Sequence, residues 1–85
     1  MRSFDPSSMK DFIEFLSLAL VDDPSAVEVR EVTGDQTTVI ELKVAKSDTG
    51  KVIGREGRTA GALRTLLTGI SAKHRRRAVL EILED

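Results

Sequence analysis

Two glycines three residues apart, Gly54 and Gly57, stand between segments that both pattern as helices, so the chain must fold around that junction. Glycine gives up backbone entropy on folding, and a pair of them here points to a tight turn whose backbone approaches something closely. The surrounding stretch, Ser47 to Ala60, places an apolar pair, Val52 and Ile53, before the first glycine and cations at Lys51, Arg55 and Arg58. With that charge alongside, the expected neighbour is a phosphate. An ordinary helix-turn-helix corner could use the same two glycines, so the rest of the chain has to supply the weight.

Eighty-five residues make one small domain that buries only about 60–65% of its unfolded surface. Hydrophobic residues make up 40% and charged residues 32%, with a formal net charge of -1, which excludes a disordered or membrane-spanning composition. There is no charged-then-apolar leader, and the expected location is the cytoplasm. Without cysteine there are no disulfides, thiolate zinc sites or cysteine nucleophiles. Tyrosine and tryptophan are absent and the three phenylalanines, Phe4, Phe12 and Phe15, lie in the first fifteen residues, which argues against base stacking on an aromatic sheet. The charge is unevenly spread. Residues 1–50 carry five Lys/Arg against ten Asp/Glu, whereas residues 51–85 carry eight against four. Between Lys51 and Arg77 there are eight cations and one acid, Glu56, so a chain of acidic pI can present one basic face.

Residues 1–8 have no period and read as a tail, with the domain spanning 9–85. Ser8-x-x-Asp11 resembles a capping box, and Met9, Phe12, Ile13, Leu16 and Leu20 follow at helical spacing, predicting a helix over about 9–21 that Asp23-Pro24 stops. From Val27 the period becomes two, giving a strand; Thr33 to Gln36 is a turn. A second strand over 38–45 puts Ile40, Leu42 and Val44 on one face. Ser47 and Asp48 are suitable N-caps for a short helix over 49–53 that ends at Gly54. A longer helix follows over about 58–72, with Ala60, Leu63, Leu67 and Ile70 inward, and Ala78, Leu80 and Ile82 alternate in a last strand. Phe15 and Leu18 on the first helix, and Ala62 and Leu66 on the last, widen the apolar arcs beyond one core contact and form a candidate interface; half-exposed packing positions would look the same.

This order of elements, α-β-β-α-α-β, resembles a type II KH domain. The string from Ser47-Asp48 through Gly50-Lys51-Val52-Ile53-Gly54-Arg55-Glu56-Gly57-Arg58-Thr59, followed by Ala62 to Leu67, is similar to the small stand-alone bacterial KhpA family. The resemblance runs from about Met9 to Glu84. It implies an α+β fold, a three-stranded mixed sheet with helices on one face and its first and last core strands parallel. It further implies a groove for about four nucleotides of single-stranded RNA, a property known of KH domains. The RNA-binding residues it implies are Lys51, Val52, Ile53, Gly54, Arg55, Glu56, Gly57, Arg58 and Thr59. Ile40 and Leu42 either contribute to an aliphatic base floor or are plain core. The chain departs from the KH pattern at Ala60, where a larger aliphatic residue is usual, and a smaller side chain there would reshape the groove. The resemblance also implies a homodimer, or a heterodimer with a KhpB-type (Jag/EloR) RNA-binding protein, acting in post-transcriptional control linked to cell envelope growth or division.

No catalytic constellation assembles from one histidine, no cysteine and scattered acids, so an enzyme is not expected, nor a metal, a cofactor, a small-molecule substrate or a membrane partner. The segment Gly50 to Gly57 lacks P-loop spacing. Glu56 opposes a phosphate, but an exposed carboxylate is largely screened. Arg75, Arg76 and Arg77 read either as a second backbone contact or as a solubilising hairpin end, and His74 as a surface residue. A second class of function stays open: protein contact through Phe15, Leu18, Ala62 and Leu66, with RNA incidental.

Overall fold

The computed structural model describes Asp5 and residues 8–84. The expected tail lies mostly outside the described residues. Six elements follow in the expected order: α1 (Met9–Leu20), β1 (Glu28–Thr33), β2 (Thr37–Lys43), α2 (Thr49–Ile53), α3 (Arg58–Lys73) and β3 (Arg77–Ile82), with single 3-10 turns at Pro24–Ala26, Lys46–Asp48 and Arg55–Gly57. Ser8 caps α1 as its sequence suggests, its Oγ accepting the Asp11 N–H at 3.2 Å. The Ser8 N–H donates to the Asp5 carbonyl at 3.0 Å, and the Asp11 carboxylate accepts the Asp5 N–H at 3.2 Å.

The three strands lie in the order β1-β2-β3. β1 and β2 form an antiparallel hairpin, with Val29 opposite Leu42 and Val32 opposite Val39. β2 and β3 run parallel, with Ile40 opposite Leu80. The parallel pair is therefore β2 with β3, and the first and last strands are not neighbours. The reason is the connection: a hairpin returns the chain antiparallel, whereas the α2–α3 crossover brings it back in the same direction on the other side of β2. The helices cover one face. Ile13 and Met9 from α1, Val52 from α2, Leu63 and Leu67 from α3, and Val29, Ile40, Leu42, Val44 and Leu80 from the sheet region make a single core. Leu20, placed on the inward stripe by its spacing, is exposed at the helix end. The molecule measures 35 × 35 × 19 Å, the thickness of one sheet and one helix layer.

Two polar residues in this core have opposite fates. Ser71 is buried and its Oγ donates to the Thr68 carbonyl at 2.9 Å. Ser17 is fully buried on α1, and its Oγ has no hydrogen-bond partner among the described residues. An unmet buried hydroxyl costs about 1–3 kcal/mol, and alanine is also the better helix former. Ser17→Ala is therefore expected to stabilise the protein by about 1 kcal/mol, read as a higher urea midpoint with an unchanged slope.

The far end of α3 is tied down by Arg76. Its Nη2 donates to the Gly34 carbonyl at 2.8 Å, its Nη1 to the Asp35 carbonyl at 3.4 Å, and its Nε to Thr38 Oγ1 at 3.1 Å. One guanidinium thus staples the β1–β2 turn to the start of β3. Of the three consecutive arginines, the middle one is structural.

Candidate nucleic-acid interface

The glycine loop is built from two left-handed residues and one conformation that only glycine adopts comfortably. Gly54 ends α2 at φ 78°, ψ 170°, Glu56 sits at φ 56°, ψ 27°, and Gly57 at φ 74°, ψ 14° opens α3. The Gly57 N–H donates to the Gly54 carbonyl at 3.1 Å and closes the turn. The two glycines differ in their surroundings. A Cβ on Gly54 would overlap Thr59 Oγ1 and stand 2.7 Å from the Thr59 backbone nitrogen, whereas a Cβ on Gly57 would meet nothing within 4 Å. Gly54 lets the loop pack on its own helix; Gly57 keeps the outer side of the loop bare.

The N-terminus of α3 has no side-chain cap. The Arg58 N–H is taken by the Arg55 carbonyl in the 3-10 turn, and no capping side chain takes the N–H groups that follow it in the first turn of α3. The positive end of a sixteen-residue helix thus opens at the bare side of the loop, a ready site for an anion. Arg55 is exposed and in no ion pair among the described residues, and Arg58 meets only the Glu56 carboxylate, at 3.4 Å between two exposed side chains. Such an exposed pair is weak.

Lys51 is engaged elsewhere. Its Nζ lies 3.1 Å from Asp22 and 3.3 Å from Asp48. Asp48, 1% exposed, also accepts the backbone N–H of Asp23 at 2.9 Å and of Asp22 at 3.2 Å. This clamp fastens the entry of α2 to the link after α1. The Asp23 amide above all, with the Asp22 amide and Lys51, holds the Asp48 carboxyl below its ordinary value of 3.8 against the opposing effect of burial. Its contribution to stability is therefore full above about pH 4 and is lost as the pH falls through the lowered folded value. Lys51 is raised above 10.5, first by Asp22 and then by Asp48, so its contribution is full below that pH and is lost as the pH rises through the folded value. Asp48→Asn is expected to flatten the acid limb of urea stability measured between pH 5 and pH 2.

Val52, like Ile40 and Leu42, is fully buried and offers no surface to a base, while Ile53, Gly54, Gly57 and Thr59 are half-buried and Arg55, Glu56 and Arg58 exposed. Ala60 is also buried, so its small side chain shapes the core under α3 rather than an open wall. What spacing within single elements did not reveal is a groove. Gly57, Gly61, Arg64 and Thr68 fall on one face of α3, at helical steps of four, three and four, next to the free edge of β3. A cavity of ≈ 270 Å³ lies there between Arg64, Leu67 and Thr68 on one side and the Arg77–Leu80 edge on the other. Arg64 Nη2 donates to the Leu80 carbonyl at 3.3 Å across it. Because the Arg77 N–H turns inward to the Gln36 carbonyl, the alternate residues Ala78, Leu80 and Ile82 turn their backbone groups outward. Knowing that β3 is an edge strand would have exposed this, but strand order is not written in local periodicity.

Phe15, Leu18 and Leu66 are 55%, 42% and 47% exposed, and Ala62 is exposed. They lie on the solvent side of α1 and α3, away from the sheet. Among the described residues no helix is long and apolar enough to cross a membrane, and no three His, Asp or Glu side chains gather as metal ligands.

Comparison with known proteins adds the family. The model of the KhpA/KhpB KH domain matches residues 10–82. A protein of Aquifex aeolicus is 51% identical over 78 residues, covering 92% of this chain and 99% of its own length. One of Chlamydia caviae is 48% identical over 77 residues, covering 91% and 99%, and one of Borreliella burgdorferi is 47% identical over 74 residues, covering 87% and 90%. All three are named RNA-binding protein KhpA. No solved structure matches. With matched residues that span every element from α1 to β3, the glycine loop included, this chain belongs to the KhpA/KhpB KH-domain family.

Proposed function

We propose that residues 9–85 form a cytoplasmic single-stranded RNA-binding domain, with little sequence preference, whose phosphate site is the glycine loop. The chain is not an enzyme, as its relatives are named RNA-binding proteins. The observation that carries the reading is the uncapped N-terminus of α3 opening beside Gly57, where a Cβ would meet nothing. A phosphate there accepts N–H groups at the helix's positive end, with Arg55 and Arg58 supplying charge. Lys51, held by Asp22 and Asp48, serves the loop by fixing α2 rather than by touching the phosphate. Beyond the loop the strand follows Gly61 and Arg64 into the α3–β3 groove, where bases meet Thr68, Ala78 and the outward backbone groups of β3. Backbone reading of this kind needs no aromatic residue and discriminates bases weakly.

One groove touches few phosphates, so useful affinity calls for a second domain. The exposed Phe15, Leu18, Ala62 and Leu66 suit pairing with a second copy or with a KhpB-type partner, in post-transcriptional control linked to cell envelope growth or division. The same exposed residues favour the second reading, in which protein contact is the main activity. An NMR titration of the labelled chain with a short single-stranded RNA pool separates the two. Amide shifts concentrated at Gly54 to Thr59 support the loop; shifts confined to α1 and the Ala62–Leu66 face, or none, replace it with the protein-contact reading.

A further inference from the structure

The basic turn between α3 and β3 is not used by the loop, and it lies at the other end of the same groove. Sixteen residues of helix separate the two ends by about 24 Å. The turn is rigid: the Arg76 N–H reaches the Ser71 carbonyl at 3.1 Å and the Arg75 N–H the Ala72 carbonyl at 3.2 Å, with Arg75 at φ 55°. This double closure is the usual left-handed end of a helix, with arginine where glycine is commonest. Arg76 is spent on the hairpin, but Arg75 and Arg77 are exposed and in no ion pair among the described residues. The hairpin residues packed against the turn, 33–38, include a single acid, Asp35. Arg77 also lines the α3–β3 cavity, so positive charge continues from Arg64 to the turn.

We propose that Arg75 and Arg77 form a second phosphate-binding point for the same RNA strand, which enters at the glycine loop, passes along the α3–β3 groove and leaves over this turn. The inference rests on the RNA reading of the loop and adds a length to it. A tetramer carries three phosphodiester groups, which the loop with Arg55 and Arg58 occupies, so none remains for the turn about 24 Å away, whereas an octamer carries seven and reaches both. The single-stranded chemistry follows from the groove, whose edge strand offers hydrogen-bonding groups that paired bases could not meet.

The test uses oligouridines of four and eight nucleotides, titrated against the whole chain at several salt concentrations. The unmodified protein is expected to bind the octamer with a slope of log affinity against log salt steeper by about 1.4 than the tetramer's, since each neutralised phosphate adds about 0.7. In the double variant Arg75→Gly with Arg77→Thr the two slopes are expected to coincide and octamer affinity to fall about three- to tenfold. Glycine suits the left-handed position and threonine a strand, so this variant keeps its fold; an unchanged amide spectrum away from the turn verifies that. Equal slopes in the unmodified protein, or a steep octamer slope that survives the substitutions, would overturn the second phosphate point while leaving the loop reading intact. Binding of neither oligomer removes the loop reading and this inference with it.

Discussion

Gly54→Ala is expected to cost about 3–5 kcal/mol of stability, while Gly57→Ala, three residues away, costs only about 1 kcal/mol. Both positions have positive φ, but ψ of 170° places Gly54 in a region closed to side chains, and Gly57 lies in the ordinary left-handed basin. The added methyl at 54 also collides with Thr59 Oγ1 and stands too near its backbone nitrogen, which belongs to the first turn of α3 and cannot yield without shifting the helix. A chain of this size holds about 0.05–0.15 kcal/mol per residue, so the first change leaves a large unfolded fraction and the second does not. Urea unfolding of both variants gives the comparison directly. Near-equal midpoints would mean that the loop relaxes and that Gly54 is not the residue fixing it. The RNA effect runs the other way: folded Gly57→Ala protein is expected to bind single strands more weakly because its methyl stands on the bare face of the loop.

The second large effect is on binding alone. Changing Arg55 and Glu56 together to aspartate is expected to lower affinity for short single-stranded RNA about thirtyfold at low salt, from a two-unit charge change within about 4 Å of a phosphate in water. Aspartate tolerates the left-handed conformation required at 56, and Arg55 and Glu56 are both exposed, so core and loop backbone are retained. Filter binding or anisotropy measures the loss, and calorimetric melting checks the fold. Undiminished binding by the folded variant would discard the glycine loop as the phosphate site and leave Phe15, Leu18, Ala62 and Leu66 as the working surface.

Most of the element order was legible because each signal is local. Ser8 and Asp11 mark the start of α1, alternating Ile40 and Leu42 mark β2, and the glycines mark the break between α2 and α3; each depends on residues within one or two turns of chain. The same locality explains why the loop and its flanking arginines could be singled out as a candidate phosphate site, and why Phe15, Leu18 and Leu66 stood out as surplus apolar surface.

What one dimension could not fix was which of several equivalent cations does which work. Lys51, Arg55 and Arg58 read alike in the sequence. Only the folded chain brings Asp22 and Asp48 to Lys51 and leaves Arg55 without a partner among the described residues. Arg75, Arg76 and Arg77 are likewise indistinguishable until the β1–β2 turn, some forty residues earlier, arrives to accept the middle guanidinium. The pairing of β2 with β3, and the groove that this edge makes with α3, were decided at the same level. Sequence determined the elements and the loop because propensity, capping and glycine conformations act over a few bonds. Tertiary structure decided the charge assignments and the groove because ion pairs, strand order and burial depend on distances between segments that the chain leaves far apart.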